Sequence, residues 1–488
     1  MNGKMSEFEV MAPVGSRESL AAAIQAGADS VYFGVGRLNM RAGSASAFTL
    51  DDLKEIADTC HKHGIKSYLT VNTIIYDDDM EEMRQTLSAA CEAGISAIIA
   101  SDMAVLQGYR GDEGTEVRGY ENSSEAEATG LQGNLAPPYP RTPAPPKTTP
   151  KLHLSTQLNI SNTAALRFYA QFADVVVLAR ELTLEQVKRI HEAIEREHIC
   201  GPSGKPVRIE MFCHGALCMA VSGKCYMSLD AANRSANRGQ CIQVCRRSYT
   251  VTDNETGHQL EIDNKYVMSP KDLKTIRFID RMMDAGVRVF KIEGRARGPE
   301  YVYQTVSCYK EAIASVLEGT FTEEKKDEWD RRLSTVFNRG FWDGYYQGQK
   351  FGEWNKGYGN NATEQKVYVG RATKYYSRIG VGEFAVEATT FKVGDKLLVT
   401  GPTTGVMYLT ATEIHDQDGH PVNEAQQGRL CAIPVSDKVR PSDKLFKLVS
   451  PPPTPPKGRG VPHGIPSAYD GAATPLPSRG GAGVGSVI

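Results

Sequence analysis

The chain has 488 residues, too many for one small domain, and 41% of them are hydrophobic, which suffices for a large core and excludes global disorder. A formal net charge of −2 supplies no overall field for nucleic acid or an anionic membrane, so any RNA contact must come from a local patch. The first residues, MNGKMSEFEV, lack an apolar core segment, and no apolar run approaches the roughly 18–20 residues that span a bilayer. These features predict a cytoplasmic protein without membrane contact, whose thiols stay reduced.

In chain order, β-rich runs alternate with amphipathic helical patterns. FEVMAPV reads as a strand and SRESLAAAIQAG as the helix after it, ending at Gly27. SVYFGV is followed by TLDDLKEIADTCHKHG, with Thr49 as N-cap and Gly64 as stop. IKSYLTVN precedes the helix DMEEMRQTLSAACEAG, and AIIASD precedes a helix beginning near Met103. After an interruption, KLHLSTQ pairs with NTAALRFYAQF, and DVVVLAR with TLEQVKRIHEAIERE. VRIEMF is a seventh strand whose helix, SPKDLKTIRFIDRMMDAG, is delayed by a cysteine-rich segment. VRVFKIEG is the eighth strand and PEYVYQTVSCYKEAIASVL the last helix. Eight such units predict an α/β fold, a (β/α)8 TIM-like barrel, rather than a Rossmann sheet.

The barrel is expected over 1–320. A disordered Pro/Glu/Ser/Thr-biased insertion is expected at about 109–150, and the cysteine segment occupies 213–245. Residues 321–365 read as a helical, then aromatic-rich linker. Short strands between turns predict a small appended C-terminal β-barrel over 366–450, followed by a disordered Pro/Gly-rich tail at 451–488.

Five of the ten cysteines fall within the 33 residues from Cys213 to Cys245. Four have the spacing Cys218-x6-Cys225-x15-Cys241-x3-Cys245, on the loop after the seventh strand. Active sites of this fold lie at the C-terminal strand ends, so the loop belongs at the mouth. Zinc is one candidate, although only Cys241 and Cys245 resemble a close knuckle. Four thiolates on an irregular loop suit an iron–sulfur cluster at least as well. Cys60, Cys91, Cys308 and Cys431 sit in helix or strand patterns and read as small buried hydrophobes. Cys213, at the strand end, is a fifth candidate by spacing alone.

EMFCHGALCMAVSGKCYMS resembles the signature of the collagenase-like peptidase family, family 32 of the unclassified peptidases. APVGSRESLAAAIQAGADSVYFG, HLSTQLNISN and KIEGRARGPEYV are similar to that family's other blocks. The resemblance covers about 8–108 and 151–350, and departs from the family at the insertion and the tail. It implies a 4Fe–4S cluster on Cys218, Cys225, Cys241 and Cys245, with Cys213 outside the set. It also implies hydroxylation without dioxygen. Members of this kind make 5-hydroxyuridine at the tRNA wobble position or 5-hydroxycytidine in ribosomal RNA, and others act in ubiquinone synthesis. Prephenate is the oxygen donor that the resemblance suggests.

Peptide hydrolysis, which the family name implies, finds little support in the residues themselves. There is no G-x-S-x-G elbow, and in HEAIE Glu195 replaces the second histidine of a zinc-protease helix. Cys213 and His214 are adjacent in sequence, which fixes no geometry for a nucleophile and its base.

Residues at barrel strand ends read as functional. Asn39 and Arg41 follow the second strand, Asn72 ends the third, Ser101 and Asp102 the fourth, and Thr156 and Gln157 the fifth. Arg180 and Glu181 end the sixth, His214 follows the seventh, and Lys291, Glu293 and Arg295 belong to the eighth. We take His214, Lys291, Glu293 and Arg295 as candidate catalytic residues. Asn39, Arg41, Asn72, Gln157, Arg180, Arg234 and Arg238 are candidate substrate-binding residues, the arginines offering bidentate forks to a small carboxylate or a phosphate. Residues 201–250 hold seven Lys and Arg against two acidic residues. With Arg234, Arg238, Arg246 and Arg247 around the cysteines, that excess predicts a contact to tRNA backbone; a solvated basic face is the plainer alternative. The expected function is RNA hydroxylation. The alternatives are a peptidase, or a non-catalytic RNA-binding or assembly protein with a structural cluster.

Overall fold

The computed structural model describes residues 5–43, 48–108, 150–247, 249, 251–252, 254–257, 259–260, 268–349, 352–355 and 359–451. Apart from Pro150 and Pro451, the expected insertion and tail lie outside these residues.

Eight parallel strands form the barrel: β1 Glu9–Pro13, β2 Ser30–Phe33, β3 Lys66–Val71, β4 Ala97–Ala100, β5 Lys151–Leu154, β6 Val175–Val177, β7 Arg208–Gly215 and β8 Val287–Ile292. Each pairs with the next, and β8 pairs with both β1 and β7, which closes the ring. Strands covered on both faces read as unbroken apolar runs, as AIIA and VVV do here. Some helices begin at side-chain caps. Ser16 accepts from the Ser19 amide at 3.2 Å, and Thr183 and Gln186 form a reciprocal capping box.

Two cores result. The larger lies between the strands and the outer helices and takes in Val31, Leu69, Ile98 and Val176. The smaller fills the barrel and includes Met11, Tyr32, Tyr68, Ile99 and Val289. Buried charge shares that interior, because Glu9, His153, Glu210 and Lys291 are all under 5% exposed.

The expected helix over 269–286 is a correction. Asp272–Lys274 is a strand antiparallel to the end of β7, and only Ile279–Asp284 is α-helical, after a 3-10 turn. The cause is local. Thr275 donates its hydroxyl to the Cys213 carbonyl and its amide to Tyr309 Oη, which holds this segment against the sheet. Phe341–Trp342 then adds a parallel strand outside it.

The C-terminal region is an antiparallel sheet with a core of its own, built on Val369, Phe384, Phe391, Val399 and Ile433. A strand not singled out from sequence, Lys444–Val449, lies between Gln365–Tyr376 and Lys396–Gly401. Gln25, ending the first barrel helix (Arg17–Gln25), exchanges two hydrogen bonds with the Val406 backbone and so fastens sheet to barrel. Among the described residues no helix is long and apolar enough to cross a membrane.

Candidate functional site at the barrel mouth

The cysteine segment leaves β7 and forms a lobe of short turns with one helix, Met227–Ala232. It is tied to loops on several sides of the mouth. Arg238 grips Asp79 with both terminal nitrogens, at 2.5 and 3.1 Å, and Arg37 reaches the same carboxylate. These two guanidinium groups hold Asp79 well below the usual carboxylate range, despite burial. The Ile74 amide donates to Asn237, Gly43 to Gly239, and the Ser222 hydroxyl to Asn159. Gly239 sits at φ 76°, and a Cβ there would come within 2.1 Å of the Asn39 carbonyl. Glycine is therefore required at that crossing. Arg246 secures the base of the lobe, donating to the carbonyls of Leu217 and Pro270.

Cys218 and Cys241 are exposed, and Cys225 and Cys245 half-buried. Burial pushes the Cys245 thiol up, against the pull of the neighbouring Arg246. Cys241 Sγ receives the Gln243 amide at 3.4 Å and the Ser228 hydroxyl at 3.9 Å, donors of the kind that tune cluster thiolates. Among the described residues, no three of these sulfurs lie mutually within 4.8 Å. Four soft thiol donors on one lobe, one of them hydrogen-bonded at sulfur, suit the ligand set of an iron–sulfur cluster. Cys213 stands apart: it is fully buried, its thiol is pushed far up by burial, and its sulfur faces the Lys291 carbonyl.

Under the lobe, Glu293 and Arg41 form an ion pair. Burial raises the Glu293 carboxyl, but Arg41, Arg295 and Arg180 outweigh it and hold it at about 2. Tyr32 donates to the Ile292 carbonyl at 2.8 Å and to Glu293 at 3.2 Å. Arg295 donates to Thr70 at 2.9 Å and to Asn39 at 3.4 Å, and burial pulls its guanidinium down to about 10. Asn39 also accepts from the Arg41 amide, so one buried amide side chain aligns both arginines. Arg180 lies over the Phe212 ring at 4.2 Å and donates to Ala216. Across the mouth, Asn72 donates to Ser155 at 3.0 Å and to Gln157 at 3.5 Å, and accepts from the Met40 amide.

Three buried polar atoms here have no hydrogen-bond partner among the described residues: Arg295 Nε, Thr73 Oγ1 and Thr156 Oγ1. Buried polar groups are rarely left so in a native structure, and together they make the mouth a place for a polar ligand.

Other candidates are placed differently. Lys291 points into the barrel, ion-paired to Glu210 at 2.8 Å and over the Tyr32 ring at 4.6 Å. His214 is 1% exposed among Tyr301, Tyr309 and Phe341; burial, then Lys274, keeps it neutral down to about pH 3. Arg238 is engaged by Asp79, whereas Arg234 is exposed with no side-chain partner among the described residues. Tyr32, Thr70 and Thr73 were not singled out from sequence. Their signal was parity: Tyr32 and Thr70 share the inward face of their strands with residues two positions away.

A closed parallel barrel with a cysteine-bearing lobe and several arginines at its C-terminal mouth is a TIM-like barrel protein. The chain belongs to peptidase family U32, whose profile matches residues 15–114 and 146–356. It is 57% identical over 444 residues to a Porphyromonas gingivalis protein named Collagenase, covering 91% of this chain and 98% of that one. It is 29% identical over 462 residues to tRNA hydroxylation protein P1 of Bacillus subtilis, covering 92% and 97%. It is 31% identical over 312 residues to the 23S rRNA 5-hydroxycytidine C2501 synthase of Escherichia coli, covering 64% of this chain and 40% of that one.

Proposed function

We propose that this chain hydroxylates RNA without dioxygen, forming 5-hydroxyuridine at the tRNA wobble position, with a 4Fe–4S cluster on Cys218, Cys225, Cys241 and Cys245. The observation that carries this reading is the juxtaposition of the four-cysteine lobe with the Arg41–Glu293–Arg295 group at one mouth, where the Gly43 amide donates to the Gly239 carbonyl of the lobe. Two relatives whose names describe RNA hydroxylation support it. When bound, such a cluster supplies one-electron redox capacity. The chain's own residues do the rest. Arg41, Arg180 and Arg295 hold a small carboxylate oxygen donor, for which prephenate is our candidate. Glu293 stays ionised and fixes the Arg41 fork, while the lobe shields the mouth from water.

A second reading is peptide hydrolysis, favoured by the similarity to a collagenase-named protein. The adjacent pair that hydrolysis would call on argues against it, because Cys213 and His214 are both buried and engaged elsewhere. The test is anaerobic incubation of purified protein with unmodified tRNA and prephenate, followed by nucleoside mass spectrometry, beside a gelatin cleavage assay. We expect 5-hydroxyuridine and intact gelatin. Cleaved gelatin with unchanged nucleosides would replace this reading by the second. RNA binding with neither product would leave a binding or assembly protein.

A further inference from the structure

Exposed large hydrophobic residues gather on the lobe and its neighbouring loops. Of the eleven large hydrophobic residues exposed among those described, six lie on loops or at a helix start on the mouth side: Ile74, Tyr76, Met103, Met219, Val221 and Tyr226. Tyr226 is 72% exposed and Tyr76 55%. Arg238 lies over the Tyr76 ring at 4.2 Å, and its grip on Asp79 holds both in place. Lys224 lies two residues before Tyr226, and the Arg234 amide donates to the carbonyl of Ser228, two residues after it. Lys224, Arg234 and Arg247 are exposed, and among the described residues none of them meets a carboxylate. Residues 213–250 hold five Lys and Arg against one acidic residue, Asp230.

Rigid aromatic rings interleaved with unpaired cations match unpaired RNA, whose bases stack on tyrosine and guanidinium planes while its phosphates seek positive charge. An anionic membrane or an acidic polypeptide would also attract the cations, but stacking on two exposed tyrosine rings is the contact that unpaired bases make best. A base-paired stem would offer no free base to the rings.

We propose that Tyr226 and Tyr76 are stacking platforms for the unpaired bases of an RNA loop, with Lys224 and Arg234 on its phosphates. This inference rests on the RNA reading above. It adds to it the surface that presents the loop to the mouth.

The test is fluorescence anisotropy with a labelled tRNA anticodon stem-loop and, for comparison, a blunt duplex of the same composition, using the full chain with its metal. Wild type should prefer the stem-loop. Tyr226→Ala and Tyr76→Ala should each weaken stem-loop binding about tenfold, the scale of one lost stack, and Tyr226→Phe should not. Lys224→Ala and Arg234→Ala should each lower the salt slope by about one. Lys392→Ala, on the distant sheet, should match wild type. Iron content, measured for each variant, keeps a stacking loss distinct from a damaged lobe; should Tyr226→Ala lose iron, the Tyr76 and salt-slope arms decide. Stem-loop binding unchanged in both tyrosine variants would overturn the inference and leave the RNA reading standing. Wild type that binds neither RNA would remove the RNA reading itself. Loss of gelatin binding in Tyr226→Ala, with RNA binding intact, would make the rim a polypeptide dock.

Discussion

The cysteines of the packed cores and those of the lobe are the same side chain in opposite circumstances. Cys60, Cys308 and Cys431 are at most 3% exposed, and burial pushes each thiol up to about 12. They stay protonated and behave as small hydrophobes. The lobe's four lie outside the packed strands and long helices, where the Gln243 amide and the Ser228 hydroxyl reach the sulfur of Cys241 and Arg246 adjoins Cys245. The first set is held in place by packing. The lobe is held by a few polar ties, so its geometry depends on what those ties and its ligands supply.

That contrast is broken most sharply by Cys241→Ser beside Cys308→Ala. A hydroxyl is a hard, poorly ionised ligand, so the first variant should lose essentially all bound iron while keeping its fold. The second should keep its iron and lose about 1 kcal/mol of stability. Iron analysis with circular dichroism checks both. Equal iron in the two variants would erase the distinction.

Next in size is Lys291→Ala. It leaves the buried Glu210 with only His153, 3.8 Å from its second carboxylate oxygen, and should cost about 3–5 kcal/mol in denaturant unfolding. Arg295→Ala should instead raise the KM for the carboxylate donor, with the cluster retained.

His214 gives a pH test. Its folded value, about 3, lies below the ordinary 6.5, so the unfolded chain takes up a proton that the folded one refuses. Stability from this group is present above about 6.5 and declines as pH falls toward 3. His214→Asn should flatten that part of the stability–pH curve and leave the pH profile of RNA hydroxylation unshifted. A shifted activity profile would return His214 to the chemistry.

The most local effect should come from Arg238→Ala. It removes two hydrogen bonds to Asp79, leaves Arg37 in place, and should cost about 1.5–3 kcal/mol, felt within the lobe. Faster proteolysis between Cys218 and Cys245, with unchanged global unfolding, would report it.

Much of this was legible because strand and helix periods differ and glycines mark helix ends. Gly94, at φ 76°, closes Met80–Ala93 where the pattern stops. The helix expected at 269–286 failed because its first residues meet Cys213 and Tyr309, partners far off in the chain. Apolar spacing alone carries no sign of such a contact. The cysteine spacing was plain in the sequence. The sorting of the charged residues was not: Arg238 and Lys291 look like free cations until Asp79 and Glu210 are placed opposite them.

The most direct test of the account is nucleoside mass spectrometry of tRNA from a host lacking this gene, complemented in turn with wild type, Cys218→Ser and Cys308→Ala. The account predicts 5-hydroxyuridine with wild type and Cys308→Ala, and none with Cys218→Ser. Full 5-hydroxyuridine with Cys218→Ser, or none with wild type, would contradict it.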